Sequence, residues 1–212
     1  MSTLNGPPPE ADLQSKFVYL PQSDHPKTVI FDLDETLVHC VDDPDNDDPD
    51  VILPVTFPTG ETVNAGINIR PYAIECLQAA NEFFQVVVFT ASHRSYADVV
   101  LDYLDPNDEL ISHWLYRDSC ISPEATWFKV QREENAQISL YIKDLWIIRN
   151  RRMEDMVIVD NAVYSFGFQL ENGIPIIPFY NNPMDEELHH LIFYLRCLSN
   201  IEDVRIQNRN AF

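Results

Sequence analysis

The sequence predicts an α/β fold: a mostly parallel, Rossmann-like sheet with helices on both faces and a small β-hairpin inserted after the first strand. Three observations carry this. Apolar runs rich in β-branched and aromatic residues recur at Val29–Phe31, Gln85–Thr90 and Met156–Val159, with the composition of buried strands. Segments of helical spacing stand between them, from Pro71 to Phe84 and from Arg94 to Leu104, as strand–helix alternation requires. Two further β-rich runs, Val51–Phe57 and Thr62–Ile69, flank Pro58-Thr59-Gly60-Glu61, a hairpin signal in which Pro and Gly set the turn.

Taken in order, residues 1–26 read as an N-terminal tail, Pro-rich and polar up to Lys16, or as a segment laid over the surface. A single domain is expected over 27–212, with the hairpin insertion at about 51–69 and a long loop at about 121–139. The first strand runs straight into Asp32 and Asp34. Asp42 to Asp50 then holds six aspartates in nine residues. Asp43, Asp45 and Asp47 fit the start of a calcium-loop pattern, but Asp48 stands where Gly is needed and Pro54 where the closing Glu should be, so a solvated acidic loop is expected. A hairpin placed directly after the first strand can act as a flap over the strand's end. Arg70-Pro71 opens a helix, Pro fitting its first turn. In the next helix, Ala97, Val100, Leu101 and Leu104 share one face. Trp114–Arg117 reads as a short strand, Leu140–Ile142 as an apolar lead into Lys143, and Arg149–Arg152 as a basic surface turn. Ile174–Phe179 is a last strand, pushed to an edge by Pro175 and Pro178. Met184–Leu198 is a closing amphipathic helix capped by Asp185, with His189 and His190 exposed.

The formal net charge of −20 argues against a surface that binds nucleic acid directly, which needs a basic patch. It also repels anionic substrates at long range, so a phosphate-handling site must create its own positive field. Cys40, Cys76, Cys120 and Cys197 are too widely spaced for a zinc pattern or a disulfide framework, and free thiols are expected. The N-terminus has neither a basic start nor an apolar core, and no apolar run reaches membrane-span length. The expectation is a soluble nuclear or cytoplasmic protein without a membrane anchor.

Parallel strands bring their carboxyl ends to one edge, where ligands bind in open α/β sheets. That edge is expected to gather Asp32, Asp34, Thr90, Asp160 and Asn161, joined by Lys143. Residues two apart on extended backbone point the same way, so Asp32 and Asp34 face one small volume. Two carboxylates there repel each other unless a cation or a shared proton relieves the pair, and an all-oxygen set suits Mg²⁺. The inventory fits one chemistry. Asp32 attacks phosphorus and forms an aspartyl-phosphate, and Asp34 protonates the departing alkoxide and then deprotonates water. Thr90 donates to a phosphoryl oxygen and Lys143 supplies compact positive charge. Asn161 lends the metal a neutral oxygen, while Asp160 holds Lys143 or a metal-bound water.

FDLDETLVH, FTAS, YIKDL and VIVDNAVYSF with ENGIPI resemble the four motifs of the haloacid-dehalogenase superfamily. More narrowly, the chain is similar to the RNA polymerase II C-terminal-domain small phosphatases, the NLI-interacting-factor-like group that includes Dullard. Arg70-Pro71, Tyr96–Asp98, Tyr116–Cys120 and Asp203–Arg205 share in the similarity, which runs from about Lys27 to about Arg209. The resemblance implies a Mg²⁺-dependent phosphoserine/phosphothreonine protein phosphatase acting on a phosphorylated protein or peptide. It places metal ligation on Asp32, Asp34 (through its backbone carbonyl) and Asn161, and a peptide groove along Tyr96 and Arg117. The family usually reads DNSP where this chain has Asp160-Asn161-Ala162-Val163. Two alternatives share the fold: an inactive phosphopeptide-binding scaffold and a small-metabolite phosphatase. The full set of Asp32, Asp34, Thr90, Lys143 and Asp160 favours catalysis over the first, and the small size of the hairpin cover favours a peptide over the second.

Overall fold

The structure, a computed structural model, describes residues 9–121 and 140–212. Its elements in chain order are α1 (Glu10–Leu13), β1 (Thr28–Phe31), β2 (Val38–Cys40), β3 (Val51–Thr56), β4 (Thr62–Ile69), α2 (Ala73–Asn81), β5 (Gln85–Phe89), α3 (Arg94–Leu104), β6 (His113–Leu115), β7 (Met156–Asp160), β8 (Gly173–Pro175), α4 (Glu187–Leu198) and α5 (Val204–Ala211). Short 3-10 turns link several of them.

β1, β5 and β7 are buried along their whole length, which is why their sequences are continuous apolar runs and do not alternate. They form the centre of a five-stranded, wholly parallel sheet in the order β6-β5-β1-β7-β8. The chain lays β5 and β6 on one side of β1, then returns to lay β7 and β8 on the other. This creates a topological switch point between β1 and β7, the place where open α/β sheets bind ligands.

Side chains alternate between two cores. Val29, Phe31, Val86, Val88, Val157 and Val159 face a cluster shared with α2, α3, α4 and Val204 of α5. Ile30, Val87, Phe89 and Ile158 face a second cluster, covered by Leu13 of α1, Leu20 and the 3-10 turns carrying Leu145, Ile147 and Phe166. Both faces are thus covered by helical elements, the longer helices on one and short turns on the other. Residues 9–21 cross that second face. Val18 N–H donates to Ile147 C=O at 2.8 Å, and Leu20 exchanges two hydrogen bonds with the Asn150 amide. Arg151, expected in a surface turn, donates to Pro21 C=O and to Gln85 Oε1 and so fastens this strap.

The hairpin forms as β3 and β4, with Gly60 at φ +86° in its turn, where a side chain would be strained. It extends into a second sheet, β2-β4-β3, because β4 also pairs with β2 immediately after the turn that carries Asp32 and Asp34. Several boundaries differ from expectation. The helix expected from Pro71 begins at Ala73, after Tyr72 at φ +65°. The short strand expected to reach Arg117 ends at Leu115, and Arg117 opens a 3-10 turn. The strand expected over Ile174–Phe179 is only Gly173–Pro175, at the expected sheet edge. Pro175 and Pro178 have no N–H for a continuing ladder. α4 starts at Glu187, not Met184: the Asp185 carboxylate accepts from Glu187 N–H but is chiefly engaged by the buried Arg70. α5 lies beyond the elements expected, because VRIQNRNA is too polar overall to stand out; it buries Val204 and Asn208, and Asp203 caps it by accepting from Arg205 N–H. The loop expected at about 121–139 lies almost wholly outside the described residues. All four cysteines are free. Among the described residues, no helix is long and apolar enough to cross a membrane.

Candidate active site

Asp32 follows β1 directly and extends the ladder, its N–H donating to Val159 C=O at 2.9 Å. Its carboxylate therefore emerges at the switch point beside Asp160, the last residue of β7. Between them lies Lys143. Its ammonium stands 2.5 Å from Asp32 Oδ1 and 2.6 Å from Asp160 Oδ2 and is only 2 % exposed with its residue. The backbone holds Lys143 there. Ile142 pairs with Ile121, and Lys143 N–H donates to Ser165 C=O at 2.7 Å, in the 3-10 turn that follows β7. Asp160 is oriented from its other oxygen by Ala162 N–H at 2.8 Å.

Two buried carboxylates share one ammonium, and this governs the electrostatics. Burial pushes the Asp32 carboxyl up to about 8 despite the pull of Lys143, with Asp160 and Asp34 adding to the rise. Burial also works against the Lys143 ammonium, but the charges and hydrogen bonds of Asp160 and Asp32 together outweigh it, and its pKa is raised. Lys143 thus stays charged against Asp160, while burial keeps the Asp32 carboxyl protonated up to about 8.

Asp34 lies one turn further along and does not touch Lys143. Its Oδ1 accepts from the Tyr96 hydroxyl at 2.8 Å; its Oδ2 accepts from Ser92 at 2.6 Å and Thr90 at 3.3 Å. The Tyr96 phenol is pushed up by burial and by this carboxylate, so it remains a donor. Thr90 sits at the end of β5 with no exposed surface, its hydroxyl also accepting from Ser92 N–H. Arg117 is exposed at the rim. Its Nε donates to Ala91 C=O at 2.6 Å, and its guanidinium lies 5.3 Å from the Tyr141 ring centroid. The hairpin reaches the same rim, Phe57 meeting His93 with ring centroids 5.8 Å apart.

The structure therefore brings Asp32, Lys143 and Asp160 together as one group and Asp34, Thr90 and Tyr96 as a second beside it. Asn161 joins the first through Thr36. The Thr36 hydroxyl lies 3.5 Å from Asp32 Oδ2 and 3.4 Å from Asn161 Oδ1, so one small group is flanked by both oxygens. Among the described residues, no group of three or more His, Cys, Asp and Glu side chains is arranged to hold a metal. A cation here would rest on a mixed set of carboxylate, amide and backbone oxygens. Such a set fits Mg²⁺, which keeps waters and leaves places for phosphate oxygens.

A model of the NLI interacting factor-like phosphatases matches residues 27–205. The chain belongs to that family. Among NLI interacting factor-like relatives, it is 38% identical over 198 residues to CTD small phosphatase-like protein 2 of Dictyostelium discoideum, covering 92% of this chain and 32% of that protein. It is 34% identical to CTD small phosphatase-like protein 3 of Caenorhabditis elegans, covering 95% and 66%. To the human carboxy-terminal domain RNA polymerase II polypeptide A small phosphatase 1 it is 35% identical, covering 83% and 60%. The chain spans from 32% to 66% of the length of these curated relatives. The solved structure of Fcp1, an RNA polymerase II CTD phosphatase, shares the fold with a TM-score of 0.56 at 20% identity, covering 87% of this chain and 53% of that one.

Residue patterns left three contributors to the site without a role. Thr36 sits inside the DLDET stretch and Ser92 inside FTAS, so both were in view, but small hydroxyl residues are common at strand ends and turns. Arg70 read as helix punctuation. Nothing in sequence shows that its side chain is buried among carbonyls.

Proposed function

We propose that this domain is a Mg²⁺-dependent phosphoserine/phosphothreonine protein phosphatase working through a phosphorylated Asp32. The supporting observation is the Asp32–Lys143–Asp160 group at the switch point, with Asp34 held separately by three hydroxyls. Lys143 has three N–H donors and spends two on Asp32 and Asp160, leaving one for a phosphoryl oxygen. Among the described residues, Asp32 Oδ2 has only the long Thr36 contact, and it is the oxygen assigned to attack.

Asp32 forms a bond to phosphorus as the bond from phosphorus to the serine or threonine oxygen breaks, and that oxygen takes the Asp34 proton. Water then attacks the phosphorylated Asp32, gives its proton to Asp34, and releases phosphate with the Asp32 carboxylate restored. Both Asp34 oxygens are already engaged, which keeps the carboxyl at one distance from the leaving group while it cycles. The Thr90 hydroxyl turns from Asp34 to a phosphoryl oxygen. Asp160 holds Lys143 upright. Asp32, the Asp34 backbone carbonyl and Asn161 would hold Mg²⁺, which neutralises the repulsion between phosphate and carboxylate.

Tyr96 and Arg117 mark the peptide side of the mouth, Arg117 with exposed surface for the residues flanking the phosphate. The relatives' names make the RNA polymerase II C-terminal domain one candidate substrate, and a substrate of that kind would put the place of action in the nucleus or cytoplasm. The test is turnover of phosphoserine and phosphothreonine peptides. Wild type is expected to release phosphate only with Mg²⁺, and Asp32→Asn to lose at least about a thousandfold, the scale on which a missing nucleophile acts. Folded wild type that binds such peptides without releasing phosphate would make the domain a scaffold instead.

A further inference from the structure

Arg70 directly follows β4 and is 1 % exposed. Its guanidinium grips Asp185 bidentately, Nε to Oδ1 at 2.8 Å and Nη2 to Oδ2 at 2.9 Å. Nη2 also donates to Ile177 C=O at 2.8 Å and Nη1 to Thr36 C=O at 3.1 Å, and the group lies 5.6 Å from the Phe179 ring centroid. One buried cation thus ties together three segments: the turn after β1, the chain leaving β8, and the approach to α4. Stability alone does not call for this arrangement, since well-packed apolar side chains serve as well as a buried ion pair. What an apolar residue cannot do is aim donors at two carbonyls at once.

The carbonyl on Nη1 belongs to Thr36, whose hydroxyl stands between Asp32 Oδ2 and Asn161 Oδ1. The same turn is fastened twice more, by Arg70 N–H to Leu37 C=O at 3.0 Å and by Phe179 N–H to Glu35 C=O at 2.8 Å. The turn also closes on itself, Glu35 N–H donating to Val38 C=O at 2.7 Å and Leu37 N–H to Leu33 C=O at 2.9 Å, and the outside contacts add to these bonds in holding Glu35 at φ +56°, a left-handed conformation that a side chain disfavours. We infer that the Arg70–Asp185 pair is a positioning device for the reaction: it fixes the Thr36 peptide, and through the Thr36 hydroxyl it sets the separation of Asp32 from Asn161. The inference rests on the phosphatase reading above and gives a role to a pair outside the reacting groups.

The test is Arg70→Lys, which keeps the charge but cannot span all four acceptors. It is expected to lower kcat about tenfold, the scale of a sub-ångström misplacement, while KM for a phosphopeptide stays within about twofold. The Mg²⁺ concentration for half-maximal rate should rise several-fold. Asp185→Asn should act the same way more weakly, and it serves if Arg70→Lys fails to fold. Because Arg70 works through Thr36, the double variant Arg70→Lys/Thr36→Val should be no slower than Thr36→Val alone. Additive losses overturn the inference, as does an Arg70→Lys enzyme with unchanged kcat. Hydrogen exchange supplies a readout independent of turnover: amides of residues 33–38 should exchange faster in Arg70→Lys while those of β5 do not change. Uniformly faster exchange means a merely structural pair and overturns the inference. If wild type shows no turnover, the phosphatase reading fails and the exchange result alone decides the clamp.

Discussion

At the scale of single residues, the balance of charge around Lys143 makes the sharpest prediction. In the folded protein the Asp32 carboxyl keeps its proton up to about 8, against 3.8 for an unperturbed aspartate. Between those values the folded form binds more protons than the unfolded one, so the contribution of this group to stability falls as pH rises through the window. Lys143, shifted upward by the same neighbours, acts only well above neutral pH. Metal-free wild type is therefore expected to lose melting temperature relative to Asp32→Asn as pH goes from 5 to 8. The variant should melt higher at pH 8 by roughly 3 °C or more, the shift that about 1 kcal/mol produces in a domain of this size. Thermal melts in chelator at the two pH values check this, and a variant that never exceeds wild type would show that Lys143 compensates both acids. The assembly of these residues was partly legible beforehand. Carboxylates at the ends of apolar runs pointed to one edge, but the engagement of Asp34 by Ser92 and Tyr96 depends on how α3 leaves β5, which spacing does not encode.

At the scale of elements, the turn after β7 matters most, because it both follows Asn161 and presents the Ser165 carbonyl to Lys143 N–H. Its Phe166 packs against Gly173 of β8, where an added Cβ would come within 2.0 Å of the ring. Gly173→Ala must push Phe166 aside in a closed core. Overpacking of this kind costs about 1–3 kcal/mol, so the melting temperature should fall by roughly 3–10 °C. Turnover measured well below the melt should fall too, since the anchor of Lys143 moves with the ring. An unchanged melting curve would mean that the turn gives way freely. Element existence was well marked in the sequence wherever apolar periodicity was strong, as over α3, whose predicted Arg94–Leu104 span and buried face match the structure. It was poorly marked at α5 and at the start of α4, where caps and a buried ion pair set the boundaries.

For the whole molecule, the net charge of −20 sets how substrates approach. The Lys143 field is local and buried, so an acidic phosphopeptide meets repulsion before it meets the site. Raising ionic strength from low to physiological is expected to lower KM for a peptide with acidic flanks, and to raise it for one with lysine flanks, as the Debye length shrinks to about 8 Å. Equal salt responses for the two peptides would show that long-range charge plays no part in selection. By itself the sequence determined the parallel sheet, the hairpin after the first strand and the carboxyl-edge location of the acidic, hydroxyl and lysine side chains. These follow from apolar periodicity and from what ends each run, both local properties of the chain. Only the tertiary structure decided that Lys143 sits between Asp32 and Asp160, that three hydroxyls claim Asp34, and that Arg70 is buried against Thr36 and Asp185. Those pairings join residues up to 115 positions apart, as Arg70 and Asp185 show. Such partners are chosen by the packing of whole elements, which no stretch of sequence carries alone.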